Sequence, residues 1–268
     1  MKKSSISNFI RKMGLIRIAD KVRYILMKYK NKKINASFKM RFPDVNLPDD
    51  YTIYESFALD YEKYYIEGKD TAKKYVKIFK RHVDLKGKRL LEWGCGPARI
   101  IRHFSELMSD KNLKIVGTDY NAKTVDWCNS NIYGVAFDKN DLTPPLLYKD
   151  KSFDIILANS VFTHLSEEQH HKWVNELFRV LDKNGILVFT THGDATKVKL
   201  SMEEVEKYEN GQMIERGDTR EGHRTFTAFH PIVFVEELVK GFTVLEHVKG
   251  IIIAGVPTQD CWIVRKVD

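Results

Sequence analysis

A chain of 268 residues, 43% hydrophobic and 12% aromatic, can bury a full core and suits one α/β domain with an appendage. Its +8 net charge is lopsided: residues 1–33 hold eleven Lys or Arg against one acid, leaving −2 for the remainder, so the body offers no surface for tracking nucleic-acid phosphates. Three isolated cysteines, Cys95, Cys128 and Cys261, with no CxxC pair, argue against a disulfide framework and a structural zinc site and for a reducing compartment.

Residues 1–50 read as a basic arm and linker. The positive start is interrupted by charges every few residues, unlike a secretory signal, and no apolar run reaches the ~18 residues of a membrane span. Ile18, Val22, Ile25, Leu26 and Tyr29 recur at helical spacing with Lys21, Arg23, Lys28 and Lys30 between them. Two readings follow: an amphipathic helix packed on its own domain, or one lying on an anionic membrane surface. Residues 34–52, with Pro43 and Pro48, read as linker. Tyr54, Phe57, Tyr61, Tyr64 and Tyr65 suggest a helix over 53–67, and Asp70 reads as the N-cap of the next, 71–83.

From residue 88 short apolar runs alternate with longer amphipathic ones. Strands are expected at 89–93, 113–119, 133–137, 153–159 and 185–191, and helices at 97–108, 121–131 and 166–182. That alternation predicts a doubly wound, mostly parallel sheet covered on both faces. Residues 194–230 are charged and strand-poor and read as a lid or acceptor-binding insertion. A helix over 231–240 and two closing strands, TVLEHVKG and DCWIVRK, would add an antiparallel edge, so the main domain runs 51–268.

The stretch LLEWGCGPARI ends a strand in a glycine turn. Arg99 stands where a dinucleotide fingerprint has its third glycine, and Glu92 would repel a pyrophosphate. Asp119, closing the second strand in GTDYN, is placed to accept from ribose hydroxyls. Two carboxylates and a glycine turn suit a ligand with a ribose and a cationic end.

These residues carry a resemblance. LLEWGCGPARI, GTDYN, NDLTPPL, FDIILANSVFTHL and ELFRVLDKNGILVFTT resemble the successive motifs of the class I S-adenosylmethionine-dependent methyltransferases. The resemblance covers residues 88–192 and implies the family's Rossmann-like, seven-stranded fold with S-adenosylmethionine as cofactor. It places Glu92, Gly94, Cys95, Gly96 and Arg99 along the methionine part, Asp119 on the ribose and Tyr120 against the adenine. Asp141 and Leu142 meet the adenine edge, and Asn159 lies near the sulfonium.

Methyl transfer is an in-line displacement, so the enzyme aligns the acceptor and excludes water, and a hydroxyl acceptor also needs a base. His164 after the fourth strand, and His192 with Asp194 after the fifth, are the candidate catalytic groups; a capping histidine and a plain loop turn are the structural alternatives. His170 and His171 begin an amphipathic helix and read as solvated. His223, Arg224, Phe226 and His230 suit either a polyhydroxylated acceptor or ordinary lid packing. The histidine spacing matches no metal-ligand pattern. ANSV, in place of an NPPY-like sequence, argues against a nucleic-acid amine acceptor. The looser similarity of SVFTHLSEEQHHKWVNELFRVL and GVPTQDCWIVRK to bacterial surface-polysaccharide methyltransferases implies O-methylation of a saccharide or sugar-linked hydroxyl. That reading places the protein in the cytoplasm, with the arm at the inner membrane. A lipid-soluble or other small-molecule hydroxyl is the alternative acceptor, and a cofactor-binding scaffold without transfer activity is the non-enzyme alternative.

Overall fold

The sheet is covered on both faces because its strands are apolar and buried at successive positions. In the computed structural model, which describes residues 16–108, 112–217, 221–222 and 225–267, the chain divides at Asp70 and Thr71 into two compact units.

The first unit contains α1 (Ile16–Lys30), α2 (Lys32–Arg41), α3 (Asp50–Phe57) and the first turns of α4 (Tyr61–His82). Phe38, Ile53, Tyr54, Leu59, Tyr61 and Tyr64 form its core. Asp49 caps α3 by accepting from Tyr51 N and Thr52 N. The chain then turns through two left-handed non-glycine residues, Ala58 and Leu59. Asn31 and Asn35 hold that turn by donating amide hydrogens to its carbonyls. Tyr24 and Met27 face this core, whereas Ile18, Val22, Ile25, Leu26 and Tyr29 are exposed. Two expectations are corrected here. Residues 32–41 are helical instead of linker, and Asp70 lies inside the 22-residue α4 instead of capping a new helix. The tyrosines before Asp70 have a core to bury into, so the helix begins at residue 61. Residues 1–15 of the basic arm lie outside the described residues.

The second unit is built on β1 (Arg89–Trp93), β2 (Lys114–Asp119), β3 (Ala136–Lys139), β4 (Phe153–Ala158), β5 (Leu181–Thr191), β8 (Phe242–Val248) and β11 (Asp260–Lys266), ordered β3-β2-β1-β4-β5-β11-β8. β1 to β5 pair in parallel and β11 runs antiparallel to both its neighbours, so the reversed strand sits one position in from the edge. Alternate residues go to opposite faces: Leu90, Ile155, Leu157, Ile186 and Val188 join one core cluster, and Leu91, Trp93, Ile156, Leu187 and Phe189 the other.

Short parallel strands demand crossovers, supplied by α6 (Ala122–Asn131) and α7 (Glu167–Val180). The crossover after β1 is looser than its sequence predicts. It runs through a turn and a 3₁₀ segment (Ile101–His103) into a single short helix, α5 (Phe104–Met108). Pro97 and the left-handed Ala98 postpone helical geometry there. The strand expected at 133–137 lies at Ala136–Lys139, because Gly134 carries a positive φ. The insertion after β5 contains a 3₁₀ turn (Asp194–Lys199), α8 (Met202–Glu209) and a small antiparallel pair, β6 (Ile214–Arg216) and β7 (Thr227–Phe229). Then come α9 (Ile232–Leu238), and, between β8 and β11, a hairpin of β9 (Ile252–Ile253) and β10 (Val256–Pro257) that the sequence did not suggest.

Candidate cofactor and acceptor site

The carboxyl ends of β1, β2, β4 and β5 gather the predicted residues, as an open parallel sheet does beyond its strand termini. The glycine turn is fastened to β2: Gly94 N and Cys95 N both donate to Thr118 O (2.8 and 2.9 Å), and Gly96 N donates to Asp119 Oδ2 (3.0 Å). Asp119 Oδ1 accepts from Asn121 N at 2.8 Å. Asp119 therefore positions the turn as well as facing the space beyond it, and burial raises its pKa.

Glycine is required twice. Gly94 has φ +71°, and a Cβ there would lie 2.4 Å from Val161 Cγ2. Gly96 has φ +50°, and a Cβ on it would project into open space, which leaves room for a ligand to approach the backbone. Cys95 turns its thiol into the core, where burial pushes its pKa well up and Sγ lies 3.5 Å from Gly96 O.

Glu92 is the electrostatic centre. It is 3% exposed, and its Oε2 has no hydrogen-bond partner. Burial pushes its pKa up to about 8, while the Arg99 charge and a backbone hydrogen bond from Ile101 act in the opposite direction. A buried carboxyl group with an unpartnered oxygen beside an open glycine turn fits a cationic ligand, which favours its ionised form, and offers nothing to a pyrophosphate. S-adenosylmethionine, with its ammonium and sulfonium, meets that requirement.

At the adenine end the structure redistributes roles. Asp141 is exposed and pairs with Lys139 (3.1 Å). Its neighbour Asn140, which sequence reasoning passed over, is buried, and its Oδ1 has no partner. Tyr120 OH donates to Gly222 O (3.2 Å), and a Cβ on Gly222 would lie 2.8 Å from Leu142 Cδ2, so the backbone at Gly222 packs over both residues. Asn159 Oδ1 accepts from the buried Tyr75 hydroxyl at 2.6 Å. Tyr75 is a second residue missed by the sequence, because its helical spacing gave no reason to separate it from the apolar face of α4.

Both candidate histidines are oriented by the strand that closes the insertion. His164 Nδ1 contacts Phe226 O at 2.8 Å, and His192 Nδ1 contacts Ala228 O at 3.0 Å. A carbonyl can only accept, so each Nδ1 carries the hydrogen and each Nε2 is the basic nitrogen. Burial, with the charges of Lys199 and His164 acting in the same direction, lowers His192 to about 4. Asp194 begins the following 3₁₀ turn, 3.5 Å from Lys197 Nζ. Beside these groups Ser160, in a left-handed conformation, donates its N–H to Thr190 Oγ1 and receives Gln259 Nε2 on its hydroxyl (both 2.8 Å).

Three further expectations are corrected. His170 is fully buried instead of solvated. His230, expected on the acceptor wall, is also buried, and the two share a 2.9 Å Nε2···Nε2 contact. One proton arrangement satisfies the chain: His192 N donates to His230 Nδ1, His230 Nε2 to His170 Nε2, and His170 Nδ1 to Ser166 O. Burial first of all holds both rings neutral, with His170 at about 4. Phe226 packs its ring inside and presents its carbonyl to His164. His223 and Arg224 lie outside the described residues.

Comparison with known proteins accords with this geometry. Residues 91–189 match the family model described as a methyltransferase domain. The chain is 27% identical over 125 residues to the tRNA N(3)-methylcytidine methyltransferase of Schizosaccharomyces pombe, covering 42% of this chain and 39% of that one. It is 30% identical over 114 residues to phthiotriol/phenolphthiotriol dimycocerosates methyltransferase 1 of Mycobacterium ulcerans, covering 41% and 39%. It thus spans about two fifths of the length of these curated relatives. A solved SAM-dependent methyltransferase from Methanosarcina mazei shares the fold with a TM-score of 0.54 at 17% identity, covering 71% of this chain and 97% of that one. So does the magnesium protoporphyrin IX methyltransferase of Synechocystis with bound SAH, at 0.54 and 15%, covering 90% and 98%. Residues 91–189 thus match a methyltransferase domain, and the second unit has the fold of solved S-adenosylmethionine-dependent methyltransferases, one of them with bound SAH, which supports S-adenosylmethionine as the cofactor.

Proposed function

We propose that the protein is an O-methyltransferase whose acceptor is a hydroxyl of a saccharide or sugar-linked molecule. The observation that carries this reading is the pair of histidines at the ends of β4 and β5, each turned by a carbonyl at its Nδ1 so that Nε2 is basic. A hydroxyl must lose its proton as the methyl group arrives, and a neutral imidazole accepts it. His192, held near pKa 4 by burial, is neutral at all physiological pH but weakly basic, which suits receiving and orienting a hydroxyl hydrogen bond. His164, after β4, takes the proton at Nε2. Ser160, Gln259 and the Tyr75–Asn159 pair supply polar contacts of the kind a polyol requires. In the same reading Glu92 Oε2 receives the ammonium of the cofactor, Asp119 the ribose, and Asn140 Oδ1 the adenine amino group. When bound, S-adenosylmethionine supplies an electrophilic methyl on sulfur.

A lipid-soluble hydroxyl is the second reading, favoured by the similarity to an enzyme named for phthiotriol dimycocerosates. A relative named for tRNA makes RNA the third substrate to test. Tritiated methyl donor incubated with glycan, lipid and tRNA fractions separates them. Label in the glycan fraction is the expected result, and label in tRNA alone overturns the proposal. Cofactor binding without label in any fraction would favour the scaffold reading.

The exposed apolar face of α1, with Lys21, Arg23, Lys28 and Lys30 around it, supports a peripheral contact with anionic lipid at the inner face of a membrane. Among the described residues no helix is long and apolar enough to cross a bilayer.

A further inference from the structure

The β9–β10 hairpin has no role in the chemistry above, yet it carries a concentrated apolar surface. Residues 251–256 are all exposed, and four of them are aliphatic: Ile251 (60%), Ile252 (52%), Ile253 (57%) and Val256 (65%). From Gly250 to Gln259 there is no charged residue. A surface this apolar on a protruding turn is not explained by packing, since nothing in its own unit covers it.

Its backbone is held in shape by cross-strand bonds. Val256 pairs with Ile253 and Pro257 with Ile252 across an Ala254–Gly255 turn in the left-handed conformation that two-residue hairpins need. Thr258 N donates to Ile251 O, and Ile251 N donates to Thr258 Oγ1, both at 2.8 Å. Asp260 Oδ1 accepts from Gly250 N at the base. These bonds hold the hairpin's shape, while the peptide groups on its outer edges point outward, which suits the hydrated headgroup region and not the hydrocarbon core.

Two lysines flank the hairpin. Lys249 precedes the hairpin and is exposed, and Lys199 is exposed on the 3₁₀ turn against which β10 lies. Val198 and Met202 extend the apolar surface on that side (66% and 92% exposed). Aliphatic side chains at a tip with lysines set back from it match the layering of an anionic bilayer, hydrocarbon below and phosphate above. A second copy of the chain is a poorer fit, because a stable homodimer buries about 800 Å² per partner, more than a two-rung hairpin offers.

We propose that this hairpin inserts into the headgroup region of anionic membranes and docks the methyltransferase unit there. The turn it lies against begins at Asp194, two residues after His192, so docking would bring the acceptor side of the sheet to the lipid surface. The inference does not depend on which acceptor is methylated.

The test uses full-length protein and flotation with vesicles of phosphatidylcholine, with and without 30 mol% phosphatidylglycerol (about 30, chosen to exceed the threshold for electrostatic attraction). The Ile252→Asp/Ile253→Asp pair changes only exposed positions, and an unchanged melting temperature and cofactor affinity will show that the fold is retained. The same pair is also placed in an Ile25→Asp/Leu26→Asp background, which disables the α1 face. We expect partitioning onto phosphatidylglycerol vesicles to fall at least tenfold with the hairpin pair in both backgrounds. Partitioning unmoved by the hairpin pair, or absent in the parent protein, overturns the proposal. Light scattering that shows a dimer abolished by the hairpin pair, with no vesicle binding, overturns it in favour of self-association.

Discussion

Single side chains decide what this site can hold, and Glu92 is the most exacting of them. Its pKa of about 8 means that the free protein carries a proton there at pH 7. A cationic partner at Oε2 favours the carboxylate, so cofactor binding releases that proton and affinity should rise with pH from about 6 to 8, by up to tenfold per unit. Titration calorimetry in buffers of different ionisation enthalpy reads the release; affinity that falls over this range would contradict the placement. Asp119→Ala removes both a backbone clasp and the ribose anchor and should weaken cofactor binding by about 1.5–3 kcal/mol while the protein remains folded, a loss that equilibrium dialysis measures. His164→Ala should lower turnover ~10²–10⁴-fold with cofactor affinity unchanged. Full activity in that variant would move the base elsewhere. Glu92, the two glycines and Asp119 were legible because they sit at strand ends in a fixed spacing. Asn140 and Tyr75 were not, since burial of one polar atom leaves no periodic signature.

At the scale of elements, the β1 turn and β7 do most of the positioning. Gly94→Ala combines a positive φ with a 2.4 Å approach to Val161 Cγ2, two penalties of different origin. The variant should lose about 1–3 kcal/mol of stability by urea denaturation. Adding Val161→Ala should recover the steric part and leave the backbone part; no recovery would mean that the clash is relieved by movement instead. The strands and α7 were readable from apolar runs and amphipathic spacing, whereas α4 was misread because Asp70 looks like a cap in isolation. Only the tertiary burial of Tyr61 and Tyr64 shows that the helix has already begun. His170 misled for a related reason: the apolar face was read as starting at Trp173, although His170 stands three and four residues before Trp173 and Val174 and so shares their face, and its hydrogen bond to His230 comes from sixty residues away. The β9–β10 hairpin gave no signal, because a two-rung pair is too short for strand periodicity to register.

For the molecule as a whole, the buried histidines make stability depend on pH in a defined direction. His170 and His192 have folded pKa values of about 4 against about 6.5 when unfolded. The unfolded chain therefore binds more protons between those values, and stability present above pH 6.5 is lost as pH falls toward 4. Glu92 acts with the opposite sign, costing stability as pH rises from 4.5 to about 8. The urea midpoint should drop on acidification from 6.5 to 4, and His170→Gln, whose amide oxygen reaches the place of Nε2 and can still accept from His230, should flatten that drop; an equal slope in both proteins would assign it to other groups. The fold class was readable at this scale because alternating apolar strands and amphipathic helices admit few topologies, but the position of β11 one strand in from the edge was not, since nothing local distinguishes an edge from its neighbour. The account as a whole rests on the turn after β1 being built for a sulfonium nucleoside. Isothermal calorimetry of the full chain against S-adenosylmethionine, S-adenosylhomocysteine and NADH tests that most directly. Saturable heat with the first two and none with NADH is the predicted result, and heat with NADH alone would contradict it.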